Sequence, residues 1–274
     1  MSKKFWTNCV FVLMAVGVLS LVGLAQEKGM SCNDEWKNGD RVGHCVIKEQ
    51  AIASTGGTIA VDGKKNGGVS VKGWERREIL VRAKIQSWAN NKSEAEAIAN
   101  QVRVEAAGAN IYADGPAAEG EQGWAVSYEV FVPNNSNLSL KAHNGGINVS
   151  NVRGQIEFET TNGGVALKNL AGNVHGNTKN GGVTVELEGN RWDGEGMDVT
   201  TTNGGVRLVM PENYSAHLEM GTVNGGLNHD IPGVVQPNAD RKERKKELSV
   251  NLGAGGAPIK VRTTNGGVSV KRKA

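Results

Sequence analysis

The chain has 274 residues, a formal net charge of +3, 38% hydrophobic and 22% charged residues, and only 5% aromatic residues. Glycine fills 38 positions, about twice its usual share. Collagen is excluded because glycine does not recur at every third residue, and wholesale disorder is excluded because short Val/Ile/Leu runs recur with little net charge. Such a chain reads as short strands joined by many tight turns, in one domain or two small ones.

At the start, Lys3 and Lys4 precede an uncharged apolar stretch from Cys9 to Leu24, and Gly23-Leu24-Ala25 sets small residues where a cleavage site needs them. This layout predicts a secretory signal peptide over residues 1–25, with an uncleaved anchor as the alternative. Its removal takes away two lysines and no acid, which leaves 29 basic against 28 acidic residues. That balance argues against a nucleic-acid partner, and no membrane span is expected in the mature chain. Export places the protein in the periplasm, on the outer surface or outside the cell.

Cys9 leaves with the signal, so Cys32 and Cys45 remain as an even pair in an oxidising compartment. A disulfide is expected, closing a loop that holds Trp36 and Asn38-Gly39-Asp40. A metal site is the rival reading, with only His44 nearby to support it. No metal and no cofactor are therefore expected.

Further along, Glu78–Ser87 and Trp124–Val132 read as longer strands. Between them Ser93 and Glu96 stand at capping-box spacing and predict a short Ala-rich helix over 94–101. Gln101–Ala106 and Asn110–Ala113 resume strand character, and residues 114–123 read as a loop. The expected organisation is a disulfide-bearing segment over 26–54, a less regular β-rich part over 55–133, and repeats over 134–274. The β-rich part would cover one end of the repeats, because a bare sheet edge invites aggregation.

The repeats are marked by Asn-Gly-Gly, which begins at Asn66, Asn144, Asn162, Asn180, Asn203, Asn224 and Asn265. Random placement of the same residues would give about half an occurrence. Three and five residues after each Asn stand aliphatic pairs such as Ile147/Val149, Val165/Leu167 and Val183/Val185; His229 is the one exception. Six and four residues before the last six stand apolar pairs such as Ile156/Phe158 and Met197/Val199; Gly176 is the exception there. A spacing of two is strand spacing, with one face buried and one wet. Thr160, Thr178, Thr201, Thr222 and Thr263 add a column two residues before the Asn.

Two all-β architectures fit this unit. Asn-Gly between alternating strands is a strong hairpin signal and allows an antiparallel meander. A parallel β-solenoid would instead make each repeat one coil, with Asn at a corner and Gly supplying positive φ. The strict recurrence of residue type at each offset favours the solenoid, because equivalent residues then stack in ladders.

Asn66-Gly67-Gly68-Val69-Ser70-Val71-Lys72-Gly73-Trp74, the helix at Ser93–Asn100, Tyr128-Glu129-Val130-Phe131-Val132-Pro133 and the run of Asn-Gly-Gly-Val repeats together resemble the bacterial putative-adhesin family. This is a domain of unknown function related to the head-GIN-type β-solenoids. The similarity spans about residues 55–272 and implies an exported, repetitive β protein of adhesin-like character. It implies no catalytic residues, so none are assigned.

No nucleophile elbow, zinc-protease motif, phosphate loop or redox Cys motif is present. One constellation bears on chemistry. Glu157, His175, Asp198 and Glu219 each precede a corner Asn by five residues, on the outward face. Stacked coils would bring them about 4.8 Å apart, where they could hold a divalent metal or serve as acid and base on a polysaccharide. The plainer reading is a solvated strand face, continued by Lys260. The basic run 241–247 reads as an extruded loop, Lys271-Arg272-Lys273 as a frayed end, and His229 as a local bulge or coil change rather than a ligand. The leading functional expectation is a non-enzymatic, adhesin-like module that binds a surface, glycan or envelope protein through its side-chain columns. The alternatives are a carbohydrate-active enzyme using the acidic column and an envelope sensor or scaffold.

Overall fold

In the computed structural model, residues 30–32, 37–38, 40–117, 120–235 and 246–273 are described. The expected signal peptide, Cys9, Trp36 and residues 241–245 of the basic run lie outside them.

Strands β1 (Lys37–Asn38), β2 (Arg41–Ala53), β3 (Ile59–Asp62), β4 (Val69–Trp74) and β5 (Glu78–Ala89) precede the helix α1 (Lys92–Gln101). After it come β6 (Arg103–Ala107), β7 (Asn110–Asp114) and β8 (Gly123–Pro133). Corner-joined pairs then begin: β9 (Leu138–Ala142) with β10 (Ile147–Ser150), and β11 (Arg153–Asn162) with β12 (Val165–Lys168). Next are β13 (Ala171–Asn180) with β14 (Val183–Glu186), and β15 (Gly196–Asn203) with β16 (Val206–Pro211). Last are β17 (Ala216–Asn224) with β18 (Leu227–His229), then β19 (Lys246–Leu252), which has no corner partner, and β20 (Pro258–Asn265) with β21 (Val268–Lys273).

The first member of each pair lies in a ten-stranded sheet and the second in an eleven-stranded sheet, with β3 and β4 forming the first coil. Neighbouring coils are parallel and in register. Val69, Ile147, Val165, Val183, Val206, Val268 and Leu227 form one continuous ladder. Leu138, Ile156, Val174, Met197, Ile259 and Leu218 form its counterpart in the other sheet. All of these but Leu227 are almost fully buried in one contiguous core, each contributing about 1.5–3 kcal/mol by leaving water. The fold is thus the parallel β-solenoid, and the antiparallel meander is set aside.

The coils do not stack in sequence order. The pair β20/β21 lies between β15/β16 and β17/β18. After β18 the chain returns as β19, antiparallel to β17 on its outer side, then enters the slot between β15 and β17 as β20. The 41-residue interval from Asn224 to Asn265, close to two periods of the preceding repeats, is therefore one antiparallel edge strand plus a return into the stack.

The corners correct the expected role of glycine. Among the fourteen corner glycines only Gly266 has a positive φ. The first glycine is required by close approach instead: a Cβ on Gly163 would lie 2.0 Å from the Gly145 carbonyl oxygen, and one on Gly181 2.1 Å from that of Gly163. No side chain fits between those backbones. The second glycine is freer, with 3.6 Å from Gly164 to the Gly182 oxygen. Gly176, the gap in the apolar pattern, is filled from the preceding coil, since its Cβ would stand 2.4 Å from the ring of Phe158.

Both ends of the stack are closed. On the eleven-stranded side β8 pairs in parallel with β4 and then antiparallel with β5, which pairs with β2. On the other side β7 and β6 continue from β3. At the far end β19 covers β17, while β18 is only three residues long. Short and antiparallel edges limit strand-to-strand association.

Several local expectations are revised. The helix starts two residues early, capped by Asn91, whose side-chain oxygen accepts from the Glu94 N–H at 2.9 Å. Ser93 therefore lies inside the helix, and Gln101 ends it rather than opening a strand. Lys271-Arg272-Lys273 is not frayed: all three belong to β21, and Lys273 bonds to Glu186. Cys32 and Cys45 are disulfide-bonded, with Cα atoms 5.6 Å apart.

Candidate binding face and ladder residues

The corner asparagines form an unbroken hydrogen-bonded ladder. Asn144 donates to Asn66 at 3.1 Å, Asn162 to Asn144 at 2.7 Å, Asn180 to Asn162 at 2.7 Å and Asn203 to Asn180 at 2.8 Å. Asn265 donates to Asn203 at 2.7 Å, and Asn224 donates to Asn265 at 2.8 Å. Each interior amide both gives and receives, which suits the carboxamide's paired donor and acceptor. Beside it the buried threonine hydroxyls donate to the preceding coil's first corner glycine, as Thr178 does to the Gly163 oxygen at 2.8 Å.

The outward face of the ten-stranded sheet carries the charged column. Its register runs Glu157, His175, Asp198, Lys260, Glu219. Lys260 therefore separates Asp198 from Glu219, which the interval pattern had set side by side. The physical cause is the inserted coil. Lys260 Nζ lies 3.1 Å from Glu219 Oε2, and Arg262 Nη2 donates to Asp198 Oδ1 at 2.6 Å. Gln155 donates to Glu157 at 3.0 Å. His217 lies 3.5 Å from Glu219 and contacts Asn251 through Nδ1 at 2.7 Å. Among the described residues no group of three His, Cys, Asp or Glu is disposed to hold a metal.

Glu157, His175, Asp198 and Arg262 line a shallow depression of about 420 Å³, together with Lys141, Glu159 and the backbone around Gly176. Acids and bases alternate along it, so its field is mixed rather than acidic. Such a surface offers donors and acceptors in regular rows, and its carboxylates are partly neutralised by neighbouring cations. Arg262 escapes the sequence reading because it belongs to the displaced coil; the long Asn224–Asn265 interval is the one signal that could have flagged it. Glu219 stands outside the depression. His229 is an inward-facing, buried residue at the end of β18 whose Nδ1 accepts from the Ile231 N–H at 3.4 Å; the chain leaves the stack after it, so of the two expected readings it is the coil change rather than the bulge.

Among the described residues no helix is long and apolar enough to cross a membrane. Residues 46–271 match the family model Toastrack DUF4097, and the chain belongs to that family. A putative cell adhesion protein of Clostridium sporogenes is similar in structure at 11% identity with a TM-score of 0.42, covering 84% of this chain and 100% of its own. A putative adhesin of Bacteroides fragilis follows at 9% and 0.38, over 83% of this chain and 97% of its own. One of Parabacteroides merdae gives 12% and 0.34, over 83% and 96%. No curated protein is similar enough in sequence to count as a relative.

Proposed function

We propose that this Toastrack chain is an exported, non-enzymatic, adhesin-like module that holds an extended polymer or envelope surface against the outward face of its ten-stranded sheet. The observation that carries this reading is the in-register column Glu157–His175–Asp198–Lys260–Glu219 with Arg262 beside it. A rigid parallel stack repeats its outward groups about every 4.8 Å, so a polymer can make many weak contacts along it, and their sum rather than one dominant group sets affinity. The disulfide fits an oxidising destination outside the cytoplasm.

A glycan array run beside a reducing-sugar release assay tests this reading. Retention without release is expected, with Arg262→Ala and Glu157→Gln each weakening retention by about two- to fivefold. Sugar release that a single carboxylate change abolishes would replace the binding module with an enzyme.

A further inference from the structure

A second cavity, separate from that face, opens where the first corner (residues 63–66) meets β8 and the turn after β7. Its volume is about 350 Å³ and its walls are mainly apolar. Trp88 and Trp124, both half-buried, line it. Each indole rests on a glycine. A Cβ on Gly123 would lie 2.7 Å from the Trp88 ring, and one on Gly115 2.8 Å from the Trp124 ring. The Trp124 N–H donates to the Pro116 carbonyl at 2.8 Å, which fixes that ring in place.

Polar groups with bonds to spare surround these flat walls. Tyr128 is a wall residue only 1% exposed, and its hydroxyl has no hydrogen-bond partner among the described residues. Burial, with Asp62 and Asp114 nearby, pushes its phenol far above the usual range, so it stays a neutral O–H. A buried hydroxyl without a partner is costly and calls for one. Asp114 and Lys65 also line the cavity, and neither makes an ion pair among the described residues. Asn66 ends the asparagine ladder: its oxygen accepts from Asn144, but no further asparagine lies beyond its NH₂ group.

We propose that this cavity binds one pyranose ring of a glycan, its C–H face against an indole and its hydroxyls on Tyr128, Asp114 and Asn66. A sugar ring presents an apolar face bordered by groups that both donate and accept, which matches indole walls edged by a carboxylate, an amide and a phenol. An acyl chain would leave those polar groups unused, and a phosphate dianion, which has no O–H to give, could not donate to the Asp114 carboxylate as a sugar hydroxyl can. The site belongs to the non-repetitive end and does not depend on the outward column.

The test is calorimetry and tryptophan fluorescence on the full mature chain, with methyl glycosides of glucose, galactose, mannose and N-acetylglucosamine as probes. At least one is expected to saturate with a fluorescence change. Trp124→Ala should weaken it about tenfold or more, and Tyr128→Phe about threefold or more. Arg262→Ala on the outward face should leave it unchanged, which separates this site from the polymer-binding face. If Trp124→Ala fails to fold by circular dichroism, Tyr128→Phe, which removes a single oxygen, carries the test. Absence of saturation by every glycoside at about 50 mM, binding indifferent to both substitutions, or saturation only by a tryptophan-containing tripeptide would overturn the proposal.

Discussion

The repeat stack and the non-repetitive end are built on the same two sheets but held together differently. From β9 onward neighbouring coils repeat one set of contacts, interrupted at Ala142, Gly176 and His229: an aliphatic on an aliphatic, an asparagine on an asparagine, a threonine on a glycine carbonyl. Around β2, β5 and β8 the side-chain contacts follow no such repeat among the described residues. Glu129 is held once, 3.7 Å from Lys72 and 3.4 Å from Arg82, and Arg82 also reaches Glu49 at 2.6 Å. Trp74 meets Phe131 once, with ring centroids 5.3 Å apart. A periodic wall can only offer periodic chemistry, suited to a long or repeating partner. A pocket with two indoles and an unspent phenol needs the irregular part. The two proposed binding modes follow from that division.

The sharpest test of this contrast is truncation. Removing residues 258–273 takes away the inserted coil and four almost fully buried aliphatics, Ile259, Val261, Val268 and Val270. At about 1.5–3 kcal/mol each, the loss is about 6 kcal/mol or more, and β17 to β19 lose the neighbour that joins them to β15 and β16. Removing residues 1–54 deletes β2, of which only Gly43 is buried, and should cost less than half as much. Urea unfolding of both truncations checks the ranking; equal losses would mean that the inserted coil behaves as an end.

Next in size are the corner glycines. Gly163→Ala forces a Cβ to within 2.0 Å of a carbonyl oxygen, so the coils must part, at a cost of about 4 kcal/mol or more. Gly164→Ala has 3.6 Å of room and should stay within about 1 kcal/mol. The shift in urea midpoint separates the two substitutions. Similar losses would return the corner glycines to the backbone-freedom role that the sequence suggests.

What could be read in advance follows from this same periodicity. Val165, Asn162 and Thr178 were legible because each sits in an environment that recurs, so the chain states the rule several times. The order of the last two coils was not legible, since a repeat says which residues share a layer and not which layers adjoin. Asp198 was thereby set beside Glu219, and the Arg262 contact was missed. The long strand Arg41–Ala53 was missed because Val42-Gly43-His44-Cys45-Val46 shows no clean alternation. Ser93 with Glu96 and Asn91 with Glu94 stand at the same capping-box spacing, so spacing alone does not tell the true cap, Asn91, from its rival. Trp88 and Trp124 come to line one cavity through the pairing of β5 with β8, which sets Trp88 opposite Gly123 and Ser87 opposite Trp124, a juxtaposition that a single sequence does not display.

A smaller effect is expected where the stack departs from its own rule. A Cβ on Gly176 would lie 2.4 Å from the ring of Phe158, so Gly176→Ala overfills the layer and should cost about 1–3 kcal/mol. Combining it with Phe158→Leu should recover most of that loss, with a coupling of about 1 kcal/mol or more in a double-mutant cycle. Additive losses would mean that the ring and the missing side chain are unrelated.

The smallest predicted effect tests whether the asparagine ladder acts as a continuous chain. Asn180 donates to Asn162 and accepts from Asn203, so Asn180→Ala breaks two side-chain bonds. Asn66 only accepts, so Asn66→Ala breaks one. These amides are exposed and water replaces much of what is lost, which holds each bond to about 0.5 kcal/mol. Asn180→Ala should therefore cost about 1 kcal/mol and Asn66→Ala about half of that, read as shifts in urea midpoint at constant slope. A larger loss at Asn66 than at Asn180 would break the comparison, because the end of the ladder would then be held by contacts that the repeating layers lack.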